Sequence, residues 1–221
     1  MCGRFTLSQP PDAIASVFDL AQIPPLEPRY NIAPTQLIPV VLYPSAQSEK
    51  QLQMFHWGLI PSWAKAPAIG AKLINARAET VSEKPSFKSA FKKRRCLIIA
   101  DGFYEWQRQD GKKQPYYFRL QNEQIFAFAG LWEHWQSSAE ETINSCTILT
   151  TEANDLLRPI HDRMPVIIAP KDYELWLNPI EKAENLQPLL RPYQADLMTS
   201  YAVSTKVNNP KNNTPECINS L

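Results

Sequence analysis

Residues 96–106 read CLIIADGFYEW, and the fold expectation starts from them. The unbroken apolar run Leu97–Ala100 predicts a buried strand. Asp101-Gly102 supplies a turn, and an aromatic-rich segment leaves it. Downstream, QPYYFRL (114–120) and IFAFAGLWE (125–133) flank the polar tip QNEQ (121–124) and predict a hairpin. CTILTT (146–151) and MPVIIA (164–169) read as further strands, separated by a helix over EANDLLRPI (152–160). Upstream, LIPVVLY (37–43) and QLQMFHWGLI (51–60) are strand-like, while PPDAIASVFDL (10–20) and FKSAFKKRR (87–95) carry helical spacing. KDYELWL (171–177) and IEKAENLQPLL (180–190) predict late helices, and PSWAKAPAIGAK (61–72) a loop. Strands and helices alternate without a βαβ rhythm. The expectation is therefore one α+β domain over residues 1–221, with a curved, largely antiparallel sheet or barrel as core and helices on its flanks.

Composition narrows the function classes. The chain has 221 residues and a formal net charge of +1, which argues against a globally basic nucleic-acid protein, so an anionic partner has to meet a local patch. Twenty prolines against six glycines predict stiff, shaped loops. Cys2, Cys96, Cys146 and Cys217 are scattered with no CxxC pair, which argues against a metal site and for free thiols in a reducing cytoplasm. No nucleotide-binding glycine motif, leader or membrane span is visible, so no cofactor and no membrane partner are expected.

Four segments carry candidate chemistry. MCGRF places cysteine directly after Met1. Aminopeptidases remove Met1 before a small residue, which would leave a vicinal amine and thiol, both partly reactive near neutral pH. Such a pair condenses with an aldehyde to an imine that the thiol closes into a thiazolidine, or the thiol alone attacks an amide carbonyl. An inert buried cysteine is the alternative. In LINARAET (73–80), Asn75, Arg77 and Glu79 fall on one face of an extended chain; asparagine can orient a substrate and arginine can hold a phosphate. Glu105 sits among Phe103, Tyr104 and Trp106, where desolvation raises a carboxyl pKa toward that of a proton donor. His161, in RPIHDRMPV, is the natural proton shuttle, whereas His56 and His134 beside tryptophans read as packing residues. Trp57 reads as core and Trp63 as exposed and able to stack on a flat ligand. Lys92, Lys93, Arg94 and Arg95 read as a solvated helix end.

MCGRF, RYNIAPT, WGLIPSW, INARAET, FKKRRCLIIADGFYEW and IHDRMPV occur in the order and spacing of one family. The sequence resembles the SOS response-associated peptidase family from Cys2 to about Pro165, and more weakly through VSTKVNN (203–209). The resemblance implies a protein that shields abasic sites by covalent attachment to single-stranded DNA, including single-strand/duplex junctions, and acts as a monomer. It implies Cys2 as nucleophile, Asn75 as the group orienting amine and sugar, Glu105 as general acid/base, and His161 as an aid to proton transfer and reversal. It places DNA contacts at Arg4, Asn31, Pro34, Trp63, Arg77, Thr150 and Arg163. The SWA loop at 62–64 stands where relatives carry GWW-type loops. Two alternatives stay open: a thiol peptidase or amidase using Cys2, and a non-covalent single-strand binder.

Overall fold

The computed structural model describes residues 2–45, 47–109, 111–137 and 139–221, with Gln109 by its backbone alone. In chain order the strands are β1 (Phe5–Leu7), β2 (Arg29–Ile32), β3 (Leu37–Leu42), β4 (Gln51–Trp57), β5 (Asn75–Arg77), β6 (Arg95–Ala100) and β7 (Gly102–Gln109). They continue as β8 (Lys112–Leu120), β9 (Phe126–Gln136), β10 (Thr142–Glu152), β11 (Arg163–Pro165), β12 (Ile167–Ile168) and β13 (Met198–Ala202). Helices α1 (Pro11–Phe18), α2 (Lys88–Lys93), α3 (Tyr173–Leu177) and α4 (Ala183–Leu186) lie between them.

Five strands close on themselves. β10 pairs with β4, β4 with β3, β3 with β6, β6 with β9, and β9 returns to β10. Only the β4–β10 joint of this ring is parallel. Closure leaves no free edge in the ring, and β6 accordingly is buried at every position. β10 takes β4 as neighbour at Ser145 and Cys146, then β5 at Ile148 to Thr150, again in parallel. Residues 58–74 are thus an excursion between two strands on one side of β10. Gly58 and Gly70 pinch it shut: a Cβ on either would lie 2.6 Å from the carbonyl oxygen of the other, and Gly58 has φ +137°.

A second sheet, ordered β13-β8-β7-β1-β2, is open and antiparallel throughout. Its apolar face packs on the barrel. Phe5 meets Trp57 and Phe128 edge-on at 5.2 and 5.8 Å, and Phe103 stacks on Phe118 at 5.2 Å. The architecture is the expected α+β arrangement with a curved, mostly antiparallel core.

Several local expectations fail for physical reasons. β8 and β9 do not form a hairpin; QNEQ is a crossover from the open sheet to the barrel. The hairpin is β7–β8, closed by Gln109 opposite Lys112, with Gly111 at φ +75°, the conformation for which glycine is suited. EANDLLRPI is a chain of turns: Asn154 Oδ1 accepts from the Leu157 N–H at 3.0 Å, and Pro159 has no N–H to extend a helix. MPVIIA breaks at Val166, whose N–H bonds Leu149 of β10 while its C=O accepts from Ala129 of β9. Arg95 is no solvated helix end. It is buried and donates to the carbonyls of Phe91, Lys92, Trp176 and Asn178, satisfying the ends of α2 and α3 from inside. His134 is exposed on β9 and contacts Asn144 rather than core.

At the bend between β6 and β7, Asp101 is buried and accepts from Thr6 Oγ1, Ser8 N (2.5 Å), Ser8 Oγ (2.8 Å) and Gln9 N (3.2 Å). It fastens the exit of β1 to the start of β7. Asp101→Ala is expected to destabilise the protein by about 3 kcal/mol or more, since several buried donors lose a charged acceptor. Denaturant titration of the variant, with an unchanged wild-type transition, would refute that role.

Candidate active site

The four sequence candidates converge where the open sheet meets the barrel. β1 runs antiparallel to β7, with Phe5 opposite Phe103 and the Tyr104 N–H donating to the Arg4 carbonyl at 3.0 Å. Continuing that register brings Gly3 and Cys2 alongside Glu105. From the barrel, Asn75 at the start of β5 donates through Nδ2 to the Cys2 carbonyl at 2.8 Å. Its Oδ1 is buried and has no hydrogen-bond partner among the described residues. The turn-rich loop between β10 and β11 delivers His161, held by its own N–H to Leu157 O at 2.9 Å. Asn154 anchors that loop through a 2.8 Å bond to Tyr193 O.

Burial sets the electrostatics. Cys2 is fully buried, and desolvation first, then the neighbouring Glu105 charge, push its thiol pKa up, so the resting thiol is protonated. Glu105 is 2% exposed, and desolvation raises its carboxyl to about 7. It can therefore give or take a proton near neutrality. His161 is shifted down, chiefly by burial, and is neutral. Its Nδ1 lies 3.0 Å from both the Arg163 N–H and an Asp162 carboxylate oxygen. A backbone N–H can only donate, so Nδ1 accepts from it and the ring proton sits on Nε2. The Asp162 carboxylate is largely in water.

Outside this core lies a groove in two parts. A cavity of about 570 Å3 is lined by Gly3, Arg4, Glu105, Trp106, Arg108, Lys113, His161 and Asn208. A second, of about 500 Å3, shares Trp106, Arg108 and His161 with it. Arg4 is held by Asn31 Oδ1 and Val207 O, each at 2.7 Å, and stands over the Trp106 ring. Trp106 in turn donates to Asn208 at 2.7 Å. The C-terminal segment is thus a wall of the groove.

The remaining sequence candidates divide. Arg77 is exposed on β5; Arg163 donates to Thr150 O and pairs with Glu79, each at 2.6 Å. Glu79 itself sits in a turn (Ala78–Thr80), not on the extended face expected for it. Asn31 and Thr150 are buried. Asn31 Nδ2 donates to Val207, Asn209 and Asn212 carbonyls, and Thr150 Oγ1 accepts from Arg163, so neither presents its side chain to a strand on the surface. Trp63 is 58% exposed at the tip of the 58–74 excursion, and Pro34 is half-buried in the β2–β3 turn. Arg108, Lys113, Trp106 and Asn208 were not singled out from sequence. The Asp110-Gly111 dipeptide was the turn cue available in the sequence; in the fold Arg108 lies opposite Lys113. Among the described residues no group of three or more His, Cys, Asp or Glu side chains is placed to hold a metal, and no helix is long and apolar enough to cross a membrane.

The chain belongs to the SOS response associated peptidase (SRAP) family, whose model matches residues 1–210. It is 48% identical over 225 residues to abasic site processing protein YoqW of Bacillus subtilis (strain 168), covering 100% of both chains. It is 36% identical to abasic site processing protein HMCES of Xenopus tropicalis, over 87% of this chain and 66% of that one. The crystal structure of a protein from Bacteroides thetaiotaomicron superimposes with a TM-score of 0.88 at 28% identity, covering 100% of both.

The position of Glu105 has a stability signature. A carboxyl raised from 4.5 to about 7 keeps its proton in the folded state after the unfolded chain has released it. Between those values the native state binds more protons, so stability falls as pH rises, by roughly 3 kcal/mol in all. Glu105→Gln is expected to raise Tm by several degrees at pH 8 and to leave it nearly unchanged at pH 4. Equal shifts at both pH values in thermal melts would contradict this account.

Proposed function

We propose that this protein processes abasic sites in single-stranded DNA by forming a thiazolidine crosslink through Cys2 after Met1 is removed. The observation that carries the proposal is the convergence of Asn75, Glu105 and His161 on Cys2 at one end of an open groove. An abasic sugar equilibrates with an open-chain aldehyde. Protonated Glu105 assists ring opening and gives its proton to the departing hydroxyl as the Cys2 amine attacks and water leaves. The imine carbon then takes the Cys2 sulphur. Glu105, now a carboxylate, accepts the thiol proton and is regenerated as the acid while the ring nitrogen keeps the hydrogen of the protonated imine, so the thiol need not be ionised beforehand. Asn75, holding the Cys2 carbonyl through Nδ2, has Oδ1 left to accept from the amine or a sugar hydroxyl. His161 offers Nε2–H to a sugar oxygen and, by the reverse path, assists release. Ring closure removes the electron sink that an imine supplies for β-elimination, which protects the strand.

Support for strand binding is local, as the net charge requires. Arg77 and Arg163 suit phosphates, with Thr150 and Asn31 positioning Arg163 and Arg4 respectively. Pro34 and Trp63 supply stiff edges against which an unpaired strand bends more readily than a duplex. A general thiol peptidase draws less support, because it needs a stabilised thiolate and here burial and Glu105 both act against one.

Incubation with an abasic oligonucleotide is expected to give a species stable to denaturing electrophoresis, absent with Cys2→Ala, with an intact mass lacking Met1 and one water per adduct. An adduct that retains Met1 would exclude the thiazolidine. Formation should follow a bell-shaped pH profile, rising with the free amine and falling as Glu105 ionises above about 7. Glu105→Gln should slow formation and lose the alkaline fall. An unchanged profile in that variant would remove Glu105 as the acid.

A further inference from the structure

The β7–β8 hairpin carries a charge arrangement that folding alone does not explain. Arg108 and Lys113 are directly opposite residues of the antiparallel pair, so their side chains leave the same face. Like charges in that position repel and weaken the hairpin. Both side chains are exposed, and among the described residues no carboxylate lies within ion-pair distance of either. Both line the cavity that begins at Gly3, beside Glu105 and His161. The other cation on that wall among the described residues, Arg4, is already bound to Asn31 and Val207. The facing acidic groups are Glu105, which titrates near 7, and Asp162, which lines the adjoining cavity with Arg108, is largely in water and makes no ion pair with either cation; His161 is neutral. A cavity lined, among the described residues, by three cations in a chain of net charge +1 suits an anion.

Its place in the fold says which anion. Arg77 and Arg163 belong to the barrel side, on β5 and β11, next to Asn75. Arg108 and Lys113 belong to the open sheet and line one cavity with Glu105. Cys2 lies between them, contacted by Asn75 from one side and neighboured by Glu105 on the other. We propose that Arg108 and Lys113 form a second phosphate-binding arm, which holds the DNA backbone on the open-sheet side of the reacting sugar. The strand is then gripped on both sides of the abasic residue, with the aldehyde carbon presented to Cys2 between the two grips. Gln107 braces this arm by a 3.1 Å bond to Pro159 O, tying the hairpin to the loop that carries His161. A bound phosphate would thus be rigidly placed relative to the reacting groups.

The inference rests on the crosslinking proposal only for the identity of the strand, and its test is separable from it. Non-covalent binding is measured with Cys2→Ala and oligonucleotides carrying a tetrahydrofuran abasic analogue, which has no aldehyde. The nucleotides extend on the 5′ side only, on the 3′ side only, or on both. Arg108→Ala/Lys113→Ala is expected to weaken binding roughly five- to twentyfold for the two-sided oligonucleotide and for one of the one-sided pair. The slope of log K against log salt should shrink by about 1.4, as for two lost single-strand phosphate contacts. The charge-preserving exchange Arg108→Lys/Lys113→Arg should restore most of the affinity. A terminal phosphate at the abasic end is compared with a hydroxyl. A gain from that phosphate, abolished in the double variant, would assign the arm to strand ends; a requirement for further nucleotides would assign it to the internal backbone. Equal losses for both one-sided oligonucleotides, or an unchanged salt slope, would overturn the proposal. Since opposed like charges weaken the hairpin, the double alanine variant is expected to melt no lower than the wild type, which separates lost contacts from lost fold.

Discussion

The proposed crosslinking chemistry depends on holding a chain terminus still. Terminal residues are ordinarily loose because little ties them down. Here only Gly3 and Arg4 separate Cys2 from Phe5, and Phe5 is sealed between Trp57 and Phe128 of the barrel. Asp101 secures the other end of the same strand through Thr6, Ser8 and Gln9. An anchor on each side of a three-residue strand transmits the rigidity of the core to the second residue of the chain. The two sheets are required for this: one supplies the neighbouring strand and Glu105, the other supplies the aromatic socket and Asn75.

The same packing sets the acid–base properties of the site. A glutamate surrounded by aromatics is an unfavourable choice for stability above neutrality and a useful one for moving protons near it. Desolvation also keeps the Cys2 thiol protonated, which keeps it from reacting before an electrophile is in place. Neutral His161, with its tautomer fixed by the Arg163 N–H, adds a donor without adding charge. Glu105 thus titrates at the centre near neutrality, and the cations stand around it. That division suits a neutral reacting carbon flanked by anionic phosphates.

Much of this was legible in the residues. The buried run at 97–100, the turn at Asp101-Gly102 and the strand-like runs of β3 and β4 have strong local signals, and each became the element expected. Cys2, Asn75, Glu105 and His161 could be chosen by chemical type, because each residue is unusual in its setting: a thiol at the terminus, a polar face in an apolar stretch, a carboxylate among aromatics, a histidine beside a turn. The errors share a cause. The 114–133 hairpin, the 152–160 helix and the solvated Arg95 were judged from neighbours in sequence, whereas β8 pairs back to β7, Asn154 bonds Tyr193, and Arg95 caps two helices from within.

The sequence by itself determined the chemical inventory and the strands that could carry it, since residue type and hydrophobic period are local properties. Tertiary structure alone decided that β9 returns to β10 to close a barrel, and that Cys2 rests between groups 73 and 103 positions away along the chain, a closure set by long-range pairing. It also decided that Asn31 and Thr150 are buried supports while Arg108 and Lys113 face the groove. Burial and charge neighbourhood depend on which distant surfaces meet, and only the folded chain brings them together.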